Sequence, residues 1–243
     1  METRQYLNIS RNLILFSLML VCGTLNSAVI DMSDYQSVPV DMNVRQQHVQ
    51  ELMGKNSWLK NTLKLQTAQD TREAVHHVLS QAMNLRDKDM AARATRAVLA
   101  AAAQYQMDPF FILAMMKTES RFNPEIVGRH GEIGLMQILP ETAAWIAARN
   151  KIEWRGKEAL KDPVYNIRLG VAYVHFLRQS FKADSVSYVA AYNMGAANVR
   201  RLRAASIQPK IYSSKVLRFY QNYYANQTLK NAAIQATNVS LVD

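Results

Sequence analysis

The chain has 243 residues, of which 49% are hydrophobic and 20% charged, with one cysteine and a formal net charge of +10. That length allows one core of ordinary size plus an extension, and a lone cysteine excludes a disulfide framework. Only 8 glycines and 6 prolines, with alanine-rich stretches such as Ala97 to Ala103, predict an almost wholly helical chain; no strong strand pattern or internal repeat is present.

At the amino terminus, Arg4 and Arg11 precede an uncharged stretch from Leu13 to Leu25. It is short and interrupted for a membrane span and suits a secretory signal. Residues 1–28 are therefore expected to be a signal peptide, with an uncleaved anchor as the alternative, and the protein to be exported to the periplasm or cell envelope. Cys22 follows Val21, where lipidation wants a small residue, so a lipid anchor is disfavoured. Residues 29–89 are expected to form a helical extension. After a linker-like start, Val44 to Met53, Trp58 to Leu65 and Thr71 to Met83 carry apolar residues at helical spacing. They read as helices bracing a main domain at 90–224, with a boundary near Asp87 to Asp89. The tail at 225–243 is polar and expected to fray.

Within the main domain, Asp108 and Pro109 read as a helix start, a capping carboxylate followed by a residue preset for the first turn. The helix runs through the apolar stretch Phe110 to Met116 and reaches Glu119. Ile112, Met116 and Glu119 are spaced i, i+4, i+7, which puts the carboxylate within about 20° of Ile112 on one face. Burial beside apolar groups penalises the ionised form, as a general acid requires near neutrality. From this helix alone, a glutamate snorkelling at a helix end is the commoner reading. Asn123 and Pro124 then stop the helix, and Gly128, Gly131 and Gly134 supply a loop able to bend sharply. Leu135 to Leu139, Pro140 and Thr142 open the next helix, so Gln137 is carried back towards the carboxylate. Further on, Ala190, Ala191, Tyr192, Asn193 and Gly195 place a hydroxyl and an amide at the end of a small-residue helix.

At these residues the chain resembles the soluble-type lytic transglycosylases of family 1, which share a lysozyme-like domain. The matching motifs are E-S-R-F-N-P at 119 to 124, G-L-M-Q at 134 to 137 and A-Y-N-M-G at 191 to 195. Leu160, Asp162, Pro163, Asn166, Ile167 and Gly170 fit a supporting helix motif, and Tyr212, Lys215, Val216 and Tyr220 a closing one. The resemblance covers about residues 92–224 and implies an all-α fold, a lysozyme-like transglycosylase domain behind a short helical N-terminal extension. It also implies cleavage, without water, of the β-1,4 bond between N-acetylmuramic acid and N-acetylglucosamine in peptidoglycan glycan strands, leaving a 1,6-anhydromuramoyl end. One glutamate serves as acid and then base, which places that role on Glu119. Gln137 and Tyr192 would orient the sugars, and Met136 and Leu139 would shape the cleft. Ser120, Thr142, Asn193 and Tyr212 complete the expected substrate-binding set.

Three positions depart from the resemblance. Gly128 stands where serine is usual, Glu132 where alanine is usual and Gln208 where glutamate is frequent. Glu132 is expected to be a solvated loop residue steadied by Arg129, and is also the one group that would serve a lysozyme-type hydrolase instead. A non-catalytic wall-binding or secretion-system adaptor is the other alternative, with the extension as the surface for a secretion-machine or wall-enzyme partner. No nucleic acid is expected, since basic residues are scattered and only Arg200, Arg201 and Arg203 cluster. No metal or cofactor is implied: His76 and His77 lack a metal-spaced carboxylate, and H-E-x-x-H is absent. A buried sugar-cleaving acid predicts a basic limb of the pH profile roughly near pH 6.

Overall fold

The computed structural model describes residues 35–54, 66–83 and 88–239. The expected signal segment at 1–28 and the expected helix at 58–65 lie outside the described residues. The helices are α1 (Met42–Met53), α2 (Ala68–Ala82), α3 (Lys88–Tyr105), α4 (Pro109–Glu119), α5 (Pro140–Arg149), α6 (Pro163–Ser180), α7 (Ser185–Met194), α8 (Ala196–Ala204) and α9 (Lys210–Val239). A 3₁₀ turn at Lys157–Lys161 precedes α6. The fold is all-α, as expected. Among the described residues the only β-type pairings are isolated bridges, Val127 to Ile133 and Ile133 to Ile138, which pinch the loop between α4 and α5.

Local chemistry sets the helix starts. Asp108, Asp162 and Asp184 each accept a backbone N–H of the first turn of α4, α6 and α7, and proline occupies the first position of α4, α5 and α6. Gly195, at φ 84°, ends α7 and starts α8.

The centre of the molecule is α4. Pro109 through Met116 are buried on every side, so this is a core helix apolar around its whole circumference and not an amphipathic one. It packs against α9, α3 and α2. Burying such side chains stabilises the fold by about 1.5–3 kcal/mol each, and the most protected helix carries Glu119 at its last turn.

The expected boundary near Asp87 to Asp89 is not a domain boundary. Val49 and Leu52 of α1 and Val75 and Leu79 of α2 share one core with Leu113, Ile167 and Tyr220. A polar knot reinforces the union. Arg45, 1% exposed, directs Nε to Asp108 Oδ1 at 3.4 Å and Nη2 to the Tyr224 hydroxyl at 2.9 Å. Its Nη1 donates to Thr71 and to Gln66, and its guanidinium lies over the Phe110 ring. Asp108 in turn accepts from the hydroxyls of Tyr220 and Tyr224, while its N–H donates to His48 Nδ1 at 3.0 Å. The carboxylate that caps α4 thus also ties α4 to α1 and α9. Past Ala225, where the polar tail was expected to begin, α9 continues as helix to Val239. Neither glycine nor proline interrupts residues 210–239, so nothing in that stretch breaks a helix already anchored on the core.

Candidate active site

Glu119 faces a cavity of about 630 Å³ lined also by Gly128, Glu132, Gln137, Leu139, Thr142, Tyr173, Tyr192 and Asn193. Five elements deliver these groups: the last turn of α4, the loop from 121 to 139, the first turn of α5 with Thr142, α6 with Tyr173, and the end of α7.

The loop is shaped by close contacts. At Gly134, φ is 78° and a Cβ would stand 2.4 Å from the Leu160 carbonyl oxygen, so only glycine fits. Asn166 on α6 is fully buried and fastens the turn: its Oδ1 accepts the Met136 N–H at 2.7 Å, and its Nδ2 donates to the carbonyls of Leu160 at 2.7 Å and Ile133 at 2.9 Å. Gln137 sits in the left-handed region at φ 45°, a conformation that non-glycine residues adopt with strain. Its Nε2 offsets this by donating to the carbonyls of Ile126 and Gly134, both at 3.0 Å. From α7, the Tyr192 hydroxyl donates to the Met136 carbonyl at 2.8 Å.

The two carboxyl groups of the cavity are driven in opposite directions. Burial of Glu119 raises its pKa to about 7, with the Tyr212 hydrogen bond and the Lys215 charge opposing and the Glu132 charge assisting. Partial burial works against ionisation of Glu132 too, but the backbone N–H groups of Glu132 and His130 and the His130 ring outweigh it and hold the group below its usual range. A protonated carboxyl and an ionised one therefore face the same space near neutrality. Tyr212, which does not line the cavity, donates its hydroxyl to Glu119 Oε1, and its own ionisation is pushed well upward by burial and by Glu119.

Of the expected set, Glu119, Gln137, Leu139, Thr142, Tyr192 and Asn193 meet around the cavity. Ser120 and Met136 do not. Ser120 is 3% exposed, and its hydroxyl donates to the Leu135 carbonyl at 2.8 Å and accepts from the Phe122 N–H at 3.1 Å, which stitches the end of α4 to the turn. Met136 is fully buried against Gly170, where an added Cβ would stand 2.5 Å from Met136 Cβ. Both hold the scaffold. Glu132 is not a solvated loop residue: its side chain is 25% exposed, it lines the cavity, and its partner is His130 at 3.0 Å and not Arg129. Sequence reasoning also missed Tyr173, whose ring lies 5.4 Å from that of Tyr192. The signal was its place seven residues after Asn166, on the same face of α6. Among the described residues, no group of three His, Cys, Asp or Glu side chains is arranged to hold a metal ion.

The family model of the Transglycosylase SLT domain matches residues 96–214. Just under half of the chain, residues 96–214, is thus similar to the transglycosylase SLT domain family. The membrane-bound lytic murein transglycosylase C of Histophilus somni (strain 2336) is 34% identical over 155 residues, 58% of this chain and 41% of that protein. The protein of the same description from Pectobacterium atrosepticum is 35% identical over 111 residues, 42% of this chain and 31% of its own length. The chain thus spans less than half the length of these curated relatives. In fold it is similar to the 70 kDa soluble lytic transglycosylase SLT70 of Escherichia coli, with a TM-score of 0.50 at 23% identity, covering 70% of this chain and 31% of the other. The SLT domain begins within α3 and ends within α9, so Glu119, Gln137, Tyr192 and Tyr212 all fall inside it. Arg45, Tyr220 and Tyr224, which lock its central helix, fall outside.

Proposed function

We propose that this protein is a peptidoglycan lytic transglycosylase, acting on the β-1,4 bond between N-acetylmuramic acid and N-acetylglucosamine. The observation that carries the reading is a single carboxyl group, Glu119, buried at a helix end, held protonated to about pH 7 and open to a cavity.

Protonated Glu119 donates to the glycosidic oxygen as the bond to the muramoyl C1 breaks. The carboxylate so formed takes the proton of the muramoyl C6 hydroxyl, whose oxygen closes on C1 and forms the 1,6-anhydro ring. Atoms balance without water, and the internal nucleophile has the advantage of proximity. The Tyr212 hydrogen bond stabilises the carboxylate formed midway and fixes its orientation; Tyr212 is a positioning residue. Tyr192, Tyr173 and Leu139 supply apolar and aromatic wall, while Gln137, Thr142 and Asn193 supply polar groups for the sugar substituents. Such a substrate places the protein in the cell envelope, reached by export through the signal read at 1–28, with membrane attachment through an uncleaved signal as an open variant.

A second reading has one observation in its favour. Glu132, ionised and in the same cavity, is the base that a lysozyme-type hydrolase would use to activate water. Digestion of purified peptidoglycan in water enriched in heavy oxygen separates the two. Transglycosylation leaves muramoyl ends free of the label. Labelled reducing ends would replace it with hydrolysis.

A further inference from the structure

Two of the positions that depart from the family resemblance, Gly128 and Glu132, meet in space at the cavity wall. A Cβ on Gly128 would stand 2.3 Å from Glu132 Oε2 and 2.8 Å from Gln137 Oε1. Glycine is what leaves room for the carboxylate to lie there. Two acceptor oxygens, one from a carboxylate and one from an amide, therefore converge on the spot that a side chain at 128 would fill.

Both are held in place. The Gln137 amide is turned by its own NH₂ group, which is occupied by the Ile126 and Gly134 carbonyls. The Glu132 carboxylate receives the His130 N–H at 2.9 Å and faces His130 Nδ1 at 3.0 Å. Each retains lone pairs beyond these contacts. Converging acceptors match a donor, and a glycan strand offers two kinds, the hydroxyl and the acetamido N–H.

We propose that Glu132 is a substrate-binding residue which, with Gln137, accepts a hydrogen bond from an acetamido N–H or hydroxyl of the bound sugar. Gly128 is its enabling partner: the pair puts a charged acceptor where a short side chain at 128 would otherwise reach the substrate. The inference rests on the glycan-cleaving reading and adds a charged acceptor to the polar groups already assigned to the sugar.

The test is the initial rate of the full chain on soluble glycan strands as a function of strand concentration. Glu132→Ala should raise KM roughly tenfold, the scale of a lost hydrogen bond to a charged group, while kcat changes far less. Glu132→Gln, which keeps an acceptor, should hold KM within roughly threefold of the parent. Gly128→Ser displaces the carboxylate from its spot, so adding Glu132→Ala to that variant should change KM less than about twofold, the two sites being coupled. An unchanged KM in Glu132→Ala, or a rise that Glu132→Gln does not relieve, overturns the assignment and leaves cleavage by Glu119 standing. Absence of product from the parent chain overturns the reading on which both rest.

Discussion

Glu119 is held between opposing influences, and each can be removed separately. Its pKa of about 7 sets the basic limb of the pH profile, higher than the value near 6 expected from sequence because α4 buries the carboxyl more fully than a helix end usually does. Tyr212→Phe deletes a hydrogen bond that favours the ionised form. The basic limb should therefore move above pH 7 while kcat falls, and a limb that stays in place would separate Tyr212 from the acid. Stability carries the same signature. Between about pH 4.5, the value for an unfolded glutamate, and pH 7 the folded protein keeps a proton that the unfolded chain has released. The contribution is full below that window and is lost as pH rises through 7. Glu119→Gln, exempt from the loss, should melt increasingly above the parent from pH 4 to pH 8, by an amount approaching about 3 kcal/mol. A constant difference in melting temperature would argue against a buried acid.

At the scale of elements, the turn from Gly134 to Ile138 hangs from α6 through Asn166 alone of the α6 side chains that bond to it. Asn166→Ala takes the acceptor from the buried Met136 N–H and a donor from the Leu160 and Ile133 carbonyls, the last of which keeps the Ile138 N–H, and should cost about 2–4 kcal/mol, with a fall in activity larger than at any exposed cavity residue. Urea denaturation together with the rate on peptidoglycan checks both. This element was partly legible. Glycine spacing announced a bend, and the bend carried Gln137 back towards the carboxylate. What pattern alone does not separate is a residue that touches ligand from its neighbour that anchors the turn: Ser120 adjoins Glu119 and Met136 adjoins Gln137, yet Ser120 is taken up by the Leu135 carbonyl and Met136 by the packing against Gly170. Glu132 was misplaced for a related reason. Its environment is made by Gly128 and His130 in three dimensions, and a charged loop residue reads as solvated until that packing is seen.

The described residues share one core, with the helix that carries Glu119 capped by a residue that α1 neutralises. Arg45 and Asp108 are 63 residues apart, too far for any local pattern, and each alone reads as an ordinary surface charge or cap. Removing Arg45 strands a buried carboxylate. Arg45→Ala should lower stability by about 3–5 kcal/mol, and Asp108→Asn added to it should recover part of the loss, because an amide has no charge to bury. Equal, additive losses in a thermal melt would mean that the pair does not couple. The helical content and the order of motifs were readable from the chain; the fusion of α1 and α2 with the SLT domain was not, since it depends on apolar faces finding partners far along the sequence.

The measurement that bears most directly on the account is mass analysis of the muropeptides released from purified peptidoglycan by the full chain and by Glu119→Gln. The account predicts products lighter by one water than hydrolytic ones, with the variant slower by about a hundredfold or more, the scale of a lost general acid. Reducing-end products from the parent, or anhydro products formed at an undiminished rate by the variant, would contradict it.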